Sequence, residues 1–165
     1  MEKNKQIIRP LILFFIICLI ISGATAIPVE AELSVLIKLF PFNSVTGIWL
    51  QKVYEAFHEV NNSYPFLTYG YDWLAFAHFI LAILFIGPLK DPVKNKWVIE
   101  FGMIACVLII PFAFITGYFR QIPLGWRLID CSFGVIGFIP LLICKNRVEA
   151  LEKLESELLV EKQFA

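Results

Sequence analysis

The chain has 165 residues, of which 59% are apolar, 15% aromatic and 17% charged, with 14 basic and 14 acidic side chains in balance. Soluble domains carry about 45–50% apolar and about 25% charged residues, so disorder, a coiled-coil rod and a nucleic-acid-binding surface are all disfavoured. What remains is an all-α integral membrane protein, and four apolar stretches approach the roughly 20 residues a bilayer requires.

The first stretch runs from Ile7 to Ile27, behind the basic flank Lys3, Lys5 and Arg9. Ala24-Thr25-Ala26 also fits the small-residue cleavage pattern of a secretory signal peptide. The apolar run continues past that pattern into Ile27, and its length favours a retained helix. The outer segment 28–72 follows. Glu30 to Phe40 reads as a short helix with Leu33, Leu36, Ile37 and Phe40 on one side. From Ser44, a plausible N-cap, Val45, Ile48, Trp49, Val53, Phe57 and Val60 recur at helical spacing. These two amphipathic pieces are expected to cap a helical bundle. Asn61 to Tyr71 has the Asn, Pro and Gly content of an irregular turn. Asp72 then serves as the expected N-cap of the second span. Asn61-Asn62-Ser63 matches a glycosylation sequon, a pattern short enough to arise by chance.

The second span, 73–89, opens at Trp73 and stops at Gly87-Pro88. Lys90, Lys94 and Lys96 lie in the short connection to the third span, 97–119, which contains Glu100 and Pro111. The fourth, 126–144, contains Asp130 and Pro140 and is followed by Lys145 and Arg147. Three basic flanks on one side predict a cytoplasmic location for both termini, in a bacterial inner membrane. Residues 1–145 thus form one transmembrane domain. The charged tail, 146–165, reads as a cytoplasmic helix with Val148, Leu151, Leu154 and Leu158 on one stripe, packed loosely on the bundle.

Phosphate-loop, dinucleotide, serine-hydrolase and zinc-protease signatures are absent, and no cofactor is expected. Cys18, Cys106, Cys131 and Cys144 include no Cys-x-x-Cys pair, so each is expected to act as a small apolar residue. His78 alone offers at most one axial ligand to a haem within one chain. Depth counting gives the sharper signal. His78 lies about five residues below Trp73, and Asp130 four below Trp126, both from the outer face. Arg127, Arg120, Asp72, Tyr69 and Tyr71 stand at the same edge. A charge inside a membrane is costly and is normally paired, so Asp130 is expected to meet Arg127, Arg120 or His78. Glu100 has Lys96 one turn earlier as its expected partner.

Tyr69, Tyr71, His78, Arg120, Arg127 and Asp130 are therefore the candidate ligand-binding residues. The arginine forks would suit an anionic lipid or a small acid; a buried strut is the competing role. The expected function is that of a non-enzymatic accessory or lipid- and ligand-binding membrane protein. Its partners would be membrane lipids, further copies of the chain or a membrane complex, with no nucleic acid. The alternative is a small oligomeric transporter or a membrane redox protein carrying haem or quinone.

Overall fold

A computed structural model describes residues 2–163, and side chains from 4 to 160. All regular elements among the described residues are helices: α1 (Glu2–Thr25), α2 (Val29–Leu39), α3 (Val45–Ser63), α4 (Pro65–Leu84), α5 (Ile86–Lys90), α6 (Lys96–Phe119) and α7 (Leu124–Gln163). Four are long and apolar enough to cross a membrane, with α4 and α5 counted as one run from Pro65 to Lys90. The four stretches expected from composition therefore reappear as helices.

The chain divides into two compact units: α1 as far as Ile17 together with residues from Ile83 onward, and residues Cys18–Ala82. In the first unit α6 packs along α7. Their approach depends on glycine. A Cβ on Gly134 would lie 2.5 Å from the Cys106 carbonyl oxygen, and one on Gly102 would meet Phe85 and Leu141 below 3.0 Å. Ile8 and Ile12 of α1 join Phe85, Ile99, Leu141 and Cys144 in the fully buried interior. Phe15 and Phe85 rings stand 4.6 Å apart. Among the described residues no polar or charged side chain is buried. The interior is thus made of close apolar packing, which is dense enough for single methylenes to matter.

The α6–α7 connection is a Schellman-type closure. Ile122 N–H donates to the Gly117 carbonyl at 2.9 Å and Gln121 N–H to the Tyr118 carbonyl at 3.2 Å. Gln121 holds the left-handed position at φ 56°, where glycine would be the less strained residue. Pro111 and Pro140 are accommodated inside α6 and α7.

The expected boundary between the fourth span and the charged tail is absent from the helix itself: α7 continues through both. Val148 and Leu151, placed in the tail by composition, are wholly buried. The tail's beginning is therefore part of the core and not a loose appendage. Beyond it, Leu154 and Leu158 are exposed.

In the second unit, Ser44 caps α3, its hydroxyl oxygen accepting from Gly47 N–H at 2.9 Å. That agrees with the sequence expectation. The segment Asn61–Tyr71 does not form an irregular turn. Only Tyr64 interrupts the helices, and α4 starts at Pro65. Proline suits a first helical position because its missing N–H has no intrahelical partner there and its φ is already helical. Asp72 consequently lies inside α4 instead of capping it. The carboxy-terminal end of α1 packs on α4, where a Cβ on Gly23 would meet the Ala75 carbonyl oxygen at 3.0 Å and the His78 Cβ at 3.1 Å.

Candidate functional site

A polar cleft lies in the second unit. It has a volume of about 580 Å³ and is lined by α2, α3 and α4, with Glu30, Tyr54, Phe57, Asn61, Tyr71 and Asp72 among its walls. A short connection folds α2 back against α3, so Glu30 near the start of α2 meets residues near the end of α3. His58 Nδ1 lies 2.5 Å from Glu30 Oε1. A carboxylate can only accept, so Nδ1 carries the proton. Asn61 Nδ2 donates to the other carboxylate oxygen at 2.8 Å. On the far side of the imidazole, Asn62 Nδ2 lies 3.0 Å from Nε2 and donates to the His58 carbonyl at 2.9 Å. Nε2 is then an acceptor, which completes one oriented chain from Asn62 through His58 to Glu30.

The His58 and Asn61 donors hold the Glu30 carboxyl below its ordinary range, against a smaller opposing effect of desolvation. A depressed carboxyl stabilises the fold above its unfolded-state pKa and loses that contribution as pH falls through the folded value. The α2–α3 pairing is therefore expected to loosen on acidification below about pH 4.5, the ordinary value for this group. Amide hydrogen exchange in α2 at pH 6 and pH 3.5 should show the loosening, and Glu30→Gln should flatten the difference.

Aromatic rings complete the cleft. Tyr54 stacks on His58 at 5.9 Å, and Phe57 meets Tyr71 edge-on at 5.3 Å. Tyr71 thus stands in a site wall. Tyr69 lies elsewhere along α4, in a ladder with Trp73 at 6.0 Å and then Phe76 at 5.7 Å from that ring. His78 is half-buried and its Nδ1 donates to the Leu74 carbonyl at 2.7 Å. The backbone acceptor fixes its tautomer and leaves Nε2 as the acceptor.

Arg120, Arg127 and Asp130 belong to the first unit. The expected pairing of Asp130 with an arginine is not formed. Arg127 Nε donates instead to the Ile122 carbonyl at 2.7 Å, and its aliphatic stem lies over Gly117. Arg127 therefore ties down the α6–α7 connection, a structural role with a different partner. Asp130 is exposed on α7 and, among the described residues, forms no ion pair. Arg120 is exposed at the C-cap of α6.

The expected Lys96–Glu100 pair is also replaced. Glu100 Oε1 lies 3.7 Å from Lys145 Nζ, while Lys96 Nζ reaches Glu149 at 3.6 Å and Glu152 at 3.0 Å. The residues expected to balance within one turn of α6 instead link α6 to α7. All four cysteines are free; Cys106, Cys131 and Cys144 are buried and Cys18 is exposed.

Comparison of the chain with protein-family models, with curated proteins and with solved structures gives no match.

Glu30, His58 and Asn61 were not among the sequence candidates for a site, and Asp72 was singled out only as a helix cap at the same edge as Tyr69 and Tyr71. The available signal was the pair of amphipathic helices with a short connection. Such helices fold back antiparallel, which places the beginning of one opposite the end of the other.

Proposed function

We propose that the chain is a four-span bacterial inner-membrane protein with both termini cytoplasmic, serving as a non-enzymatic ligand-binding or accessory protein whose outer cleft holds a small organic ammonium group. Support for the orientation comes from Lys3, Lys5 and Arg9, from Lys90, Lys94 and Lys96, and from Lys145 and Arg147, which share one side if all four apolar helices span. The ligand class is carried by one observation. The cleft combines the carboxylates of Glu30 and Asp72 with the rings of Tyr54, Phe57 and Tyr71, and among the described residues no basic side chain lines it.

Carboxylates supply charge to an ammonium ion, and aromatic faces attract it through their quadrupoles. An anion, the ligand anticipated from Arg120 and Arg127, would meet two like charges in this cleft. A partner within the membrane has separate support. Asp130 sits exposed among the exposed apolar residues Leu128, Ile129 and Phe133, and a charge near lipid is normally matched by another group.

Ethanolamine and choline serve as probes for the cleft, with acetate as the anionic control. Thermal melting of the full chain in mild detergent is expected to rise with at least one of the amines and not with acetate. Asp72→Asn should remove that response, because it deletes one charge without a hydrogen bond to lose among the described residues. Stabilisation by acetate alone, or an amine response unchanged by Asp72→Asn, would sink this reading.

A further inference from the structure

A second cavity, of about 390 Å³, lies in the first unit and has the opposite electrostatic character. Four cations line it: Lys5 and Arg9 from α1, Lys90 from the end of α5, and Lys94 from the connection to α6. Lys5 and Arg9 are four residues apart and so share a helical face. The connection is held in one shape by its own hydrogen bonds. Asp91 N–H donates to the Gly87 carbonyl at 3.0 Å, Lys94 N–H to Asp91 Oδ1 at 3.1 Å, and Asn95 Nδ2 to the Asp91 carbonyl at 2.9 Å. Ile8 and Pro88, both buried, close the apolar side of the cavity.

The two carboxylates in the lining offset only two of the four cations. Asp91 pairs with Lys94 at 3.4 Å, and its carboxyl is held below the ordinary range chiefly by the Lys94 backbone N–H. Lys5, Arg9 and Lys90 form no ion pair among the described residues. A preformed concavity with four cations against two carboxylates thus keeps an excess of two positive charges at the ends of apolar helices. Its volume is within the common range of small-ligand sites, about 300–1,000 Å³.

We infer that this cavity binds a phosphate ester, with Lys5, Arg9 and Lys90 taking the phosphate oxygens. Asp91 and Glu155, also in the lining, would accept from hydroxyl groups carried on the same headgroup. Basic pockets at the cytoplasmic ends of membrane helices are suited to anionic lipid headgroups. The arginine adds a planar fork that matches two phosphate oxygens at once. The same chemistry could be supplied by a phospholipid or by a soluble phosphate, and both are tested together. This inference is independent of the amine proposed for the cleft.

The experiment uses the full chain in mild detergent with phosphatidylglycerol, phosphatidylcholine or inorganic phosphate added, read by native mass spectrometry and thermal melting. The parent is expected to retain phosphatidylglycerol over phosphatidylcholine. Arg9→Gln combined with Lys90→Gln should weaken that retention about twenty-five-fold, taking each membrane-proximal cation as worth about fivefold. Arg147→Gln combined with Lys153→Gln removes the same charge outside the cavity and should leave retention unchanged. If inorganic phosphate at millimolar concentration raises the melting point of the parent and displaces the lipid, the natural source is a soluble phosphate. Equal retention of the two lipids by the parent, with no response to phosphate, would overturn the site even if the double variant failed to fold. Equal losses in the two double variants would overturn it as well.

Discussion

Replacing Gly134 with valine is expected to separate α6 from α7 and sharply reduce the yield of folded chain in detergent. The reason is local and unforgiving. The first added carbon would lie 2.5 Å from the Cys106 carbonyl oxygen, and a backbone atom in a helix has no rotamer by which to move aside. Inserting atoms into a packed interior costs about 1–3 kcal/mol where side chains can adjust, and this contact lies at the upper end because only a helix shift relieves it. Gly125→Ala supplies the control. Nothing lies within 4 Å of its Cβ position, and alanine in a helix gains up to about 1 kcal/mol over glycine. Melting curves and size-exclusion profiles should therefore diverge in opposite directions. Similar behaviour of the two variants would mean that the helices do not meet at Gly134.

Truncating Leu141 to alanine is the second large effect. Its side chain is 0% exposed, and its Cδ1 reaches to within 2.9 Å of the position a Cβ on Gly102 would take. Leucine-to-alanine changes in closed interiors cost about 2–5 kcal/mol, the range reflecting how far the cavity can collapse. Phe85 is also fully buried beside the same glycine, so collapse around Leu141 is restricted and the upper half of that range is expected. The neighbouring Leu142 is 39% exposed. Detergent or lipid can fill the space vacated by a shorter side chain there, so Leu142→Ala should leave melting nearly unchanged. Destabilisation of comparable size at both positions would place α7 in the wrong rotation.

The long helices were legible in the sequence because their signal is additive. Twenty apolar residues in a row outweigh any single disagreement, so Pro111 inside α6 and Pro140 inside α7 did not obscure them. Boundaries were less legible where one residue type has two meanings. Pro65 reads as a turn residue in isolation, yet it begins α4 and carries Asp72 into the helix interior. The site was harder still, because partners are chosen by packing. Lys96 has Glu100 one turn away in sequence, but the α6–α7 pairing brings Glu149 and Glu152 to it and gives Glu100 to Lys145. Arg127 is similarly drawn to a carbonyl of the adjoining turn instead of the carboxylate three residues further on. Tyr71, singled out in the sequence from its place just before Trp73, lines the cleft. Glu30 and His58 were not legible as a pair, since 28 residues separate them and only the fold-back of α2 on α3 closes that distance.

Helix α7 contains 40 residues, which at about 1.5 Å each makes a rod of roughly 60 Å. A bilayer's hydrocarbon layer is about half as thick, so a span through α7 would leave a large part of the rod in water. Because one continuous helix runs through both halves, with Pro140 on the apolar side of their junction, a tilt of the apolar half would displace the charged half with it. The exposed end then moves through a greater arc than the segment that drives it. Anything that docks on Leu154 or Leu158 would sense the posture of the apolar half through the helix itself.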